Sequence, residues 1–132
     1  YSSVLFVNMG TLSIQRDNWG AAIQNFRKAL EIDPLNDQAW VGLALCHRHC
    51  GDTDLSWANV LRALDINRDN LLAIQMGCQW VLRDNKEYLF YPYLKMFVEA
   101  HPGRGDLKDF LETLHQERPG VALSAVEGGA VG

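Results

Sequence analysis

The sequence has few cysteines, no excess of basic residues and no long apolar run. Its three cysteines are an odd number, and we expect them to be reduced thiols inside helices. This favours a reducing compartment, the cytoplasm, over a disulfide-stabilised scaffold. The net charge of −4 argues against nucleic-acid binding, which normally needs a clustered basic face. No apolar run reaches the roughly 18 residues of a membrane-spanning helix, so we expect no membrane span.

Signatures of catalysis are also missing from the sequence. It contains no glycine-rich phosphate loop, no nucleophile elbow, no HExxH motif and no pair of carboxylates at catalytic spacing. Acidic residues occur singly at predicted helix ends or on predicted solvent faces, where a charge usually caps or solubilises a helix. We therefore predict a protein that is not an enzyme and that uses no cofactor.

A pattern that recurs every 34 residues organises most of the chain. One position of the pattern is always large and apolar, and another is always small. The two sets are Phe6, Trp40, Ile74 and Gly10, Ala44, Cys78. Three units share this register without a gap, and they cover residues 3–36, 37–70 and 71–104. A period of this length is typical of stacked helical repeats.

Each unit is predicted to be two antiparallel helices joined by a tight turn. In the first unit, apolar residues at helical spacing predict helices over 3–16 and 19–32. Asp17 lies between them, and Gly51 and Asn85 occupy the same slot one and two periods later. All three residue types tolerate a left-handed backbone, so we expect the same turn in each unit. Asn or Asp residues before the later helices predict N-terminal caps.

The series Ala22, Phe26, Ala29 and Pro34 resembles the second half of a tetratricopeptide repeat. This family builds helix–turn–helix units of about 34 residues that stack into a superhelix. The resemblance implies an all-α solenoid of three repeats that presents a surface for protein or peptide partners. Peptides of such partners usually lie in the concave groove, which is lined by the first helix of each repeat.

The resemblance also assigns the residues that face this groove. They are Val4, Val7, Asn8, Thr11, Ile14, Gln38, Val41, Gly42, Leu45, Arg48, Leu72, Gln75, Met76, Gln79 and Arg83. Cochaperones of this family clamp a terminal carboxylate with Lys, Arg and Asn. The matching slots of the first two units here hold Val7, Thr11, Val41 and Leu45. We therefore predict an extended, weakly charged peptide, with Asn8, Gln75 and Gln79 bonding its backbone.

The third unit departs from the pattern of the first two. Phe90 and Phe97 stand where the earlier units carry small residues, and we expect them to push the next helix outward or to change its angle. Pro92 lies inside the predicted helix 86–100, and it should kink that helix or delay its regular start.

A seventh helix is predicted over 106–116, within the segment 105–117. Its apolar residues form a single stripe, which consists of Leu107, Phe110, Leu111 and Leu114. One apolar face and one polar face are typical of a helix that caps the end of a repeat stack. We therefore assign residues 1–119 to one repeat domain and residues 120–132 to an apolar tail.

Five aromatic residues occur between positions 88 and 97. They are compatible with a core that is thickened to meet the cap helix. They are also compatible with a protein interface on the convex side, since Tyr and Phe are enriched in interfaces. That interface would consist of Trp57, Tyr88, Tyr91 and Tyr93.

One cluster has the chemistry of a metal site. On a helix, Cys46, His49 and Cys50 share a face and could offer three ligands to zinc. No spacing in the sequence supplies a fourth ligand, and cysteine also packs as a small apolar residue. We therefore predict no metal site, and keep a metal-dependent regulator as an alternative function.

The tail suggests a specific occupant for the groove. Val121, Leu123 and Val126 are apolar, and the segment 120–132 carries a single charge. Fully extended, it reaches roughly 43 Å, and three stacked first helices make a groove of about 40 Å. We expect the tail to occupy the groove of a neighbouring molecule and so to form homo-oligomers.

The sequence thus predicts a non-catalytic interaction scaffold that binds an extended peptide, including its own tail in trans. The chain begins with Tyr1 and has no initiator methionine, which makes us expect a segment of a longer protein. An alternative function is therefore that of an accessory or spacer segment whose host carries the activity elsewhere.

Overall fold

The fold was analysed on a computed structural model that describes residues 2–117, with side chains described for residues 2–115. This part of the chain forms α-helices and contains no strand. The helices are α1 (Ser3–Gln15), α2 (Trp19–Ile32), α3 (Asp37–His49), α4 (Thr53–Ile66), α5 (Leu71–Asp84), α6 (Glu87–Ala100) and α7 (Gly105–Glu117). The predicted all-α class is confirmed, and the bounds predicted for α1, α2 and α7 agree to within one residue.

Helices α2 to α5 begin where the sequence supplies a capping side chain. Asn18, Asn36, Asp52 and Asn70 each accept a hydrogen bond from the backbone N–H three residues further on, at 3.0–3.2 Å. These bonds satisfy N–H groups of the first turn that have no partner within the helix. The predicted caps of the later helices are therefore confirmed, and they fix where each helix starts.

The turns within the helix pairs repeat with the sequence period. Asp17 has a φ of 59°, Gly51 of 83° and Asn85 of 56°. These values lie in the left-handed region, which Gly, Asn and Asp adopt more readily than other residues. The prediction of one recurrent turn at these three positions is confirmed.

The chain divides into two compact units, Tyr1–Met76 and Gly77–Gly132. In the first unit α1 packs against α2, α2 against α3, and α3 against α4. Phe26 is the largest buried side chain of α2 and is 1% exposed. A Cβ atom at Gly10 or Gly42 would overlap with its ring. The phenylalanine therefore sits directly on the bare backbone of α1 and of α3.

In the second unit Phe90 has no exposed surface and lies against the backbone of Gly77, where a Cβ atom would overlap with the ring. We expected Phe90 to gain its space by pushing the next helix outward. The absence of a side chain at Gly77 provides space for the ring instead. The α6 helix continues through Pro92. Helix α7 packs on α6 and buries Leu107 and Leu114, so the predicted apolar stripe is confirmed.

The burial of the small residues departs from the predicted register in one place. Gly10 and Ala44 are buried as expected, whereas Cys78 is half-buried. In the third repeat the close approach occurs at Gly77, one residue before Cys78. The large ring there belongs to Phe90, which stands one helical turn before the position equivalent to Phe26. Among the described helices none is long and apolar enough to span a bilayer.

Candidate functional site

The first unit carries a groove of about 360 Å³ between its helices. Its walls are contributed by α1, α2, α3, the start of α5 and the turn before α5. The apolar lining residues are Val7, Ile14, Phe26, Val41, Leu45 and Leu72. Val7 and Val41 are nearly buried, and Leu72 is 52% exposed. The groove therefore has an apolar floor and one prominent apolar side chain at its edge.

Among the described residues that line the groove, Asp37 is the single ionisable one. Its Oδ2 accepts hydrogen bonds from Nδ2 of Asn67 at 3.0 Å and of Asn70 at 2.8 Å. Asp37 is also the first residue of α3, where the helix dipole stabilises a negative charge. This carboxylate is held in place by its neighbours, and among the described lining residues there is no lysine or arginine to receive an acidic peptide.

Apart from Gly42, the remaining lining residues are polar and uncharged. They are Thr11, Gln15, Gln38, Asn67 and Asn70. Side-chain amides carry both donors and acceptors and can bond to a peptide backbone. The Thr11 hydroxyl donates to the carbonyl of Val7 at 3.0 Å, and the amide nitrogens of Asn67 and Asn70 are engaged by Asp37. Gln15 and Gln38 are therefore the amides best placed for a ligand.

The structure brings about half of the predicted groove residues together. Those that line the groove are Val7, Thr11, Ile14, Gln38, Val41, Gly42, Leu45 and Leu72. Those that do not line it are Val4, Asn8, Arg48, Gln75, Met76, Gln79 and Arg83. Val4 is 63% exposed, whereas Met76 is buried in the core. A binding role for either set stays a prediction.

Sequence reasoning missed the polar end of this groove. Asp37 and Asn70 were interpreted from their positions as helix starts and caps, and Asn67 was not considered. The cap at Asn70 is confirmed by its bond to the Ala73 N–H, yet the same side chain also reaches Asp37 across 33 residues. The available signal was the recurrence of Asn36 at Asn70, since Asn36 similarly donates to Ser3 Oγ at 2.7 Å.

The predicted convex aromatic surface loses one of its members. Trp57 is 2% exposed, because it shares one stripe of α4 with the buried Val60 and Leu64. Its assignment to an exposed interface is therefore wrong. In the second unit Tyr88 is 59% exposed, Tyr91 packs near the His115 ring with 6.0 Å between the ring centres, and Tyr93 is half-buried.

The cysteine and histidine cluster of α3 runs from the buried core to the exposed end of the helix. Cys46 is fully buried, and Cys50 is exposed at the C-terminal cap of the helix. The His49 ring stacks on Trp19 with 4.0 Å between the ring centres. Within residues 2–115, no three His, Cys, Asp or Glu side chains are grouped so that they could hold a metal ion. Cys46 and His49 take part in packing contacts.

Two of the three thiols have raised pKa values. Burial, with a smaller effect of Cys50, raises the pKa of Cys46 to about 11. Burial, with a smaller effect of Asp106, raises the pKa of Cys78 to about 11 as well. Since the thiolate is the reactive form, neither cysteine is set up as a nucleophile.

The tail residues Val121, Leu123 and Val126 lie outside the described residues.

Comparison with known proteins finds a similarity to one repeat family and to two solved structures. Residues 25–58 match the family model of the tetratricopeptide repeat. The first tetratricopeptide domain of Spaghetti (RPAP3), bound to the HSP90 peptide SRMEEVD, has a similar fold, with a TM-score of 0.69 and 15% sequence identity. The match covers 88% of this chain and 94% of that one.

A structure of pilF from Pseudomonas aeruginosa is also similar, with a TM-score of 0.68 and 21% identity. The match covers 87% of this chain but 53% of that one, so the chain spans about half the length of pilF. A comparison with curated proteins gives no match. The structural likenesses, together with the family match, confirm an α-solenoid of helix–turn–helix repeats.

Proposed function

We propose that this chain, a tetratricopeptide repeat protein, is an interaction scaffold that binds an extended, weakly charged peptide in the groove of Tyr1–Met76. The observation that carries the proposal is the lining of that groove, which is apolar except for uncharged polar groups and the pinned carboxylate of Asp37. Apolar side chains of a peptide would fill the space between Val7, Val41 and Leu72, while side-chain amides would bond its backbone.

The charge of the groove leads us to propose a different kind of peptide from the one that the Spaghetti domain binds. That domain binds the peptide SRMEEVD, which is acidic and ends in a carboxylate. Here a peptide with several carboxylates would meet Asp37 and would find no cationic side chain among the described lining residues. We therefore expect neutral, apolar peptides to be favoured over acidic ones.

Selection from a displayed peptide library tests this expectation. Enriched peptides should contain apolar residues at alternate positions and few acidic residues. The variant Leu72→Glu should lose binding at least about tenfold, because it places a carboxylate beside the apolar floor. Leu71→Glu is the matched control, since Leu71 is also exposed but does not line the groove. Enrichment of acidic peptides, or equal binding by the two variants, would contradict the proposal.

The tail is the specific occupant that we propose for this groove in a second molecule. Its support is its composition, because residues 120–132 are rich in Gly, Ala and Val and carry one charge. A synthetic peptide of this segment should bind the chain truncated after Pro119, and SRMEEVD should not. The intact chain should also show a larger solution mass than the truncated chain. Equal masses would show that the tail does not drive assembly.

The proposed role is binding without catalysis. We place it in the cytoplasm, and the support for this is that all three cysteines are free thiols. Such thiols are typical of proteins in a reducing compartment.

A further inference from the structure

The carboxylate of Asp37 uses only one of its two oxygens within the protein. Its Oδ2 accepts hydrogen bonds from Nδ2 of Asn67 at 3.0 Å and of Asn70 at 2.8 Å. Its Oδ1 accepts no hydrogen bond from the described residues, and it is not one of the fully buried atoms that lack such a bond. Asp37 also forms no ion pair within residues 2–115. Oδ1 is therefore an accessible acceptor on a side chain that lines the groove.

The repeat register shows that the link between repeats does not require this negative charge. One period before Asp37 the same position is Ser3. Asn36 donates to the Ser3 hydroxyl at 2.7 Å, as Asn70 donates to Asp37. A neutral hydroxyl is thus sufficient for this bond, and the charge of Asp37 is an addition. It lies in a groove whose other described lining residues are uncharged, and charge complementarity favours a cationic group of a ligand beside it.

One face of α3 joins this carboxylate to the apolar floor of the groove. Asp37, Val41 and Leu45 follow one another at intervals of four residues, so they lie on the same face of the helix. All three line the groove, and Val41 is 3% exposed. A ligand side chain that lies along this face contacts apolar surface over most of its length and a carboxylate at its end. Lysine and arginine have the matching form, with an apolar stem and a cationic end.

The hydrogen bonds of Asp37 distinguish between lysine and arginine. Each carboxylate oxygen has two lone pairs, and the two asparagine bonds use those of Oδ2. Arginine binds a carboxylate best through two parallel bonds, one to each oxygen, and here one oxygen is already occupied. The ammonium of lysine is a compact charge that needs a single oxygen. We propose, building on the proposed function, that Asp37 binds the lysine side chain of a peptide whose apolar residues fill the groove.

This ligand differs from the tail of the chain itself. The segment 120–132 contains no lysine or arginine, and its single charge is that of Glu127. The partner is therefore a segment of another protein with one lysine among apolar residues. It would compete with the tail for the groove and would bind more tightly, because it gains a charge-assisted hydrogen bond.

Peptide selection on the full chain, from a displayed library of random peptides, tests the proposal. The wild type should enrich one lysine at a fixed position beside apolar residues. Asp37→Asn keeps an oxygen for the two asparagines but replaces the charged acceptor with a neutral amide. It should enrich the same apolar residues without the lysine. Asp33→Asn is the matched control, because Asp33 is exposed and does not line the groove, and it should retain the lysine.

Binding of three synthetic peptides measures the size of the effect. The enriched sequence is made with lysine, arginine or norleucine at the fixed position, and its N-terminus is acetylated to remove the terminal ammonium. On the wild type, the lysine peptide should bind about tenfold more tightly than the norleucine peptide, with the arginine peptide between them. On Asp37→Asn, the lysine and norleucine peptides should bind equally. Equal binding of the norleucine peptide to wild type and variant shows that the variant is folded.

The outcomes separate this inference from the proposed function. Enrichment of apolar peptides without a fixed lysine, or a lysine preference that survives Asp37→Asn, overturns the role of Asp37 and leaves peptide binding in place. Loss of the preference in Asp33→Asn as well would assign it to net charge and also overturn that role. An arginine peptide that binds as tightly as the lysine peptide overturns the contact through one oxygen. If no peptide or only acidic peptides are enriched, the proposed function fails, and this inference fails with it.

Discussion

The first repeat and the third repeat both pack a phenylalanine ring against glycine, but at different positions of the register. In the first repeat Phe26 fills the space left by Gly10 and Gly42. In the third repeat the large ring is Phe90, which stands in the register of Ala22, and it rests on Gly77, which stands in the register of Met9. Each buried ring thus lies on bare backbone of a first helix. The requirement is complementarity of size across the helix pair rather than one residue type at each position.

The polar contacts between successive repeats differ in the same way. Asn36 donates to Ser3, and Asn70 donates to Asp37, in each case across 33 residues. Arg104 stands one period after Asn70, but it forms an ion pair with Asp106, only two residues further on, at 2.9 Å. Asn36 and Asn70 therefore link distant parts of the chain, whereas Arg104 at the same register position bonds to a residue close in sequence.

Substitutions of Phe90 and Gly77 in the third repeat should have the largest effect on the free energy of unfolding. Phe90→Ala leaves a cavity and should lower the free energy of unfolding by about 3–5 kcal/mol. Gly77→Leu alone forces a side chain into the ring and should cost about 1–3 kcal/mol or more. The double variant restores the large-and-small arrangement of the second repeat, so the two effects should offset each other by about 1–3 kcal/mol. Denaturant unfolding measures all three, and strict additivity would contradict the size complementarity.

Substitution at the small position of the register should give the next effect. Ala44 has no exposed surface, so Ala44→Leu should lower the free energy of unfolding by about 1–3 kcal/mol through overpacking. Cys78 occupies the same register position but is half-buried, and Cys78→Leu should cost clearly less. An unchanged denaturant midpoint for Ala44→Leu would show that the register is wrong.

Removal of the links between repeats should give a smaller effect. Asn70→Ala loses both its cap on α5 and its bond to Asp37, and it should cost about 1–2 kcal/mol. Asn36→Ala should behave similarly, because it loses the corresponding two bonds. Arg104→Ala removes an exposed ion pair and should leave the denaturation midpoint unchanged. A loss for Arg104→Ala equal to that for Asn70→Ala would remove the distinction between the repeats.

The recurrent left-handed turn should give the smallest effect. Asp17→Gly relieves a side chain at a φ of 59° and should raise the free energy of unfolding by about 0.5–1 kcal/mol. Gly51→Ala makes the reverse change at a φ of 83° and should lower the thermal midpoint. Opposite signs for the two variants would confirm that the turns are equivalent.

The sequence determined the elements that depend on neighbouring residues. Helix bounds, caps at Asn36 and Asp52, and the left-handed turns at Asp17 and Gly51 were all predictable, because each follows from the conformational preferences of a few adjacent residues. The 34-residue period added the repeat fold, since a period reports which local unit is stacked. The apolar stripe of α7 was predictable for the same reason.

Tertiary structure decided which side chains meet. That Gly77 accommodates Phe90, that Trp57 is buried, and that Asn70 holds Asp37 at the groove depend on how helices far apart in sequence approach each other. A helical period gives the face on which a residue lies, but not the size of the residue that it meets on the next helix. The groove residues were therefore predicted only in part, and the polar end of the groove emerged from packing.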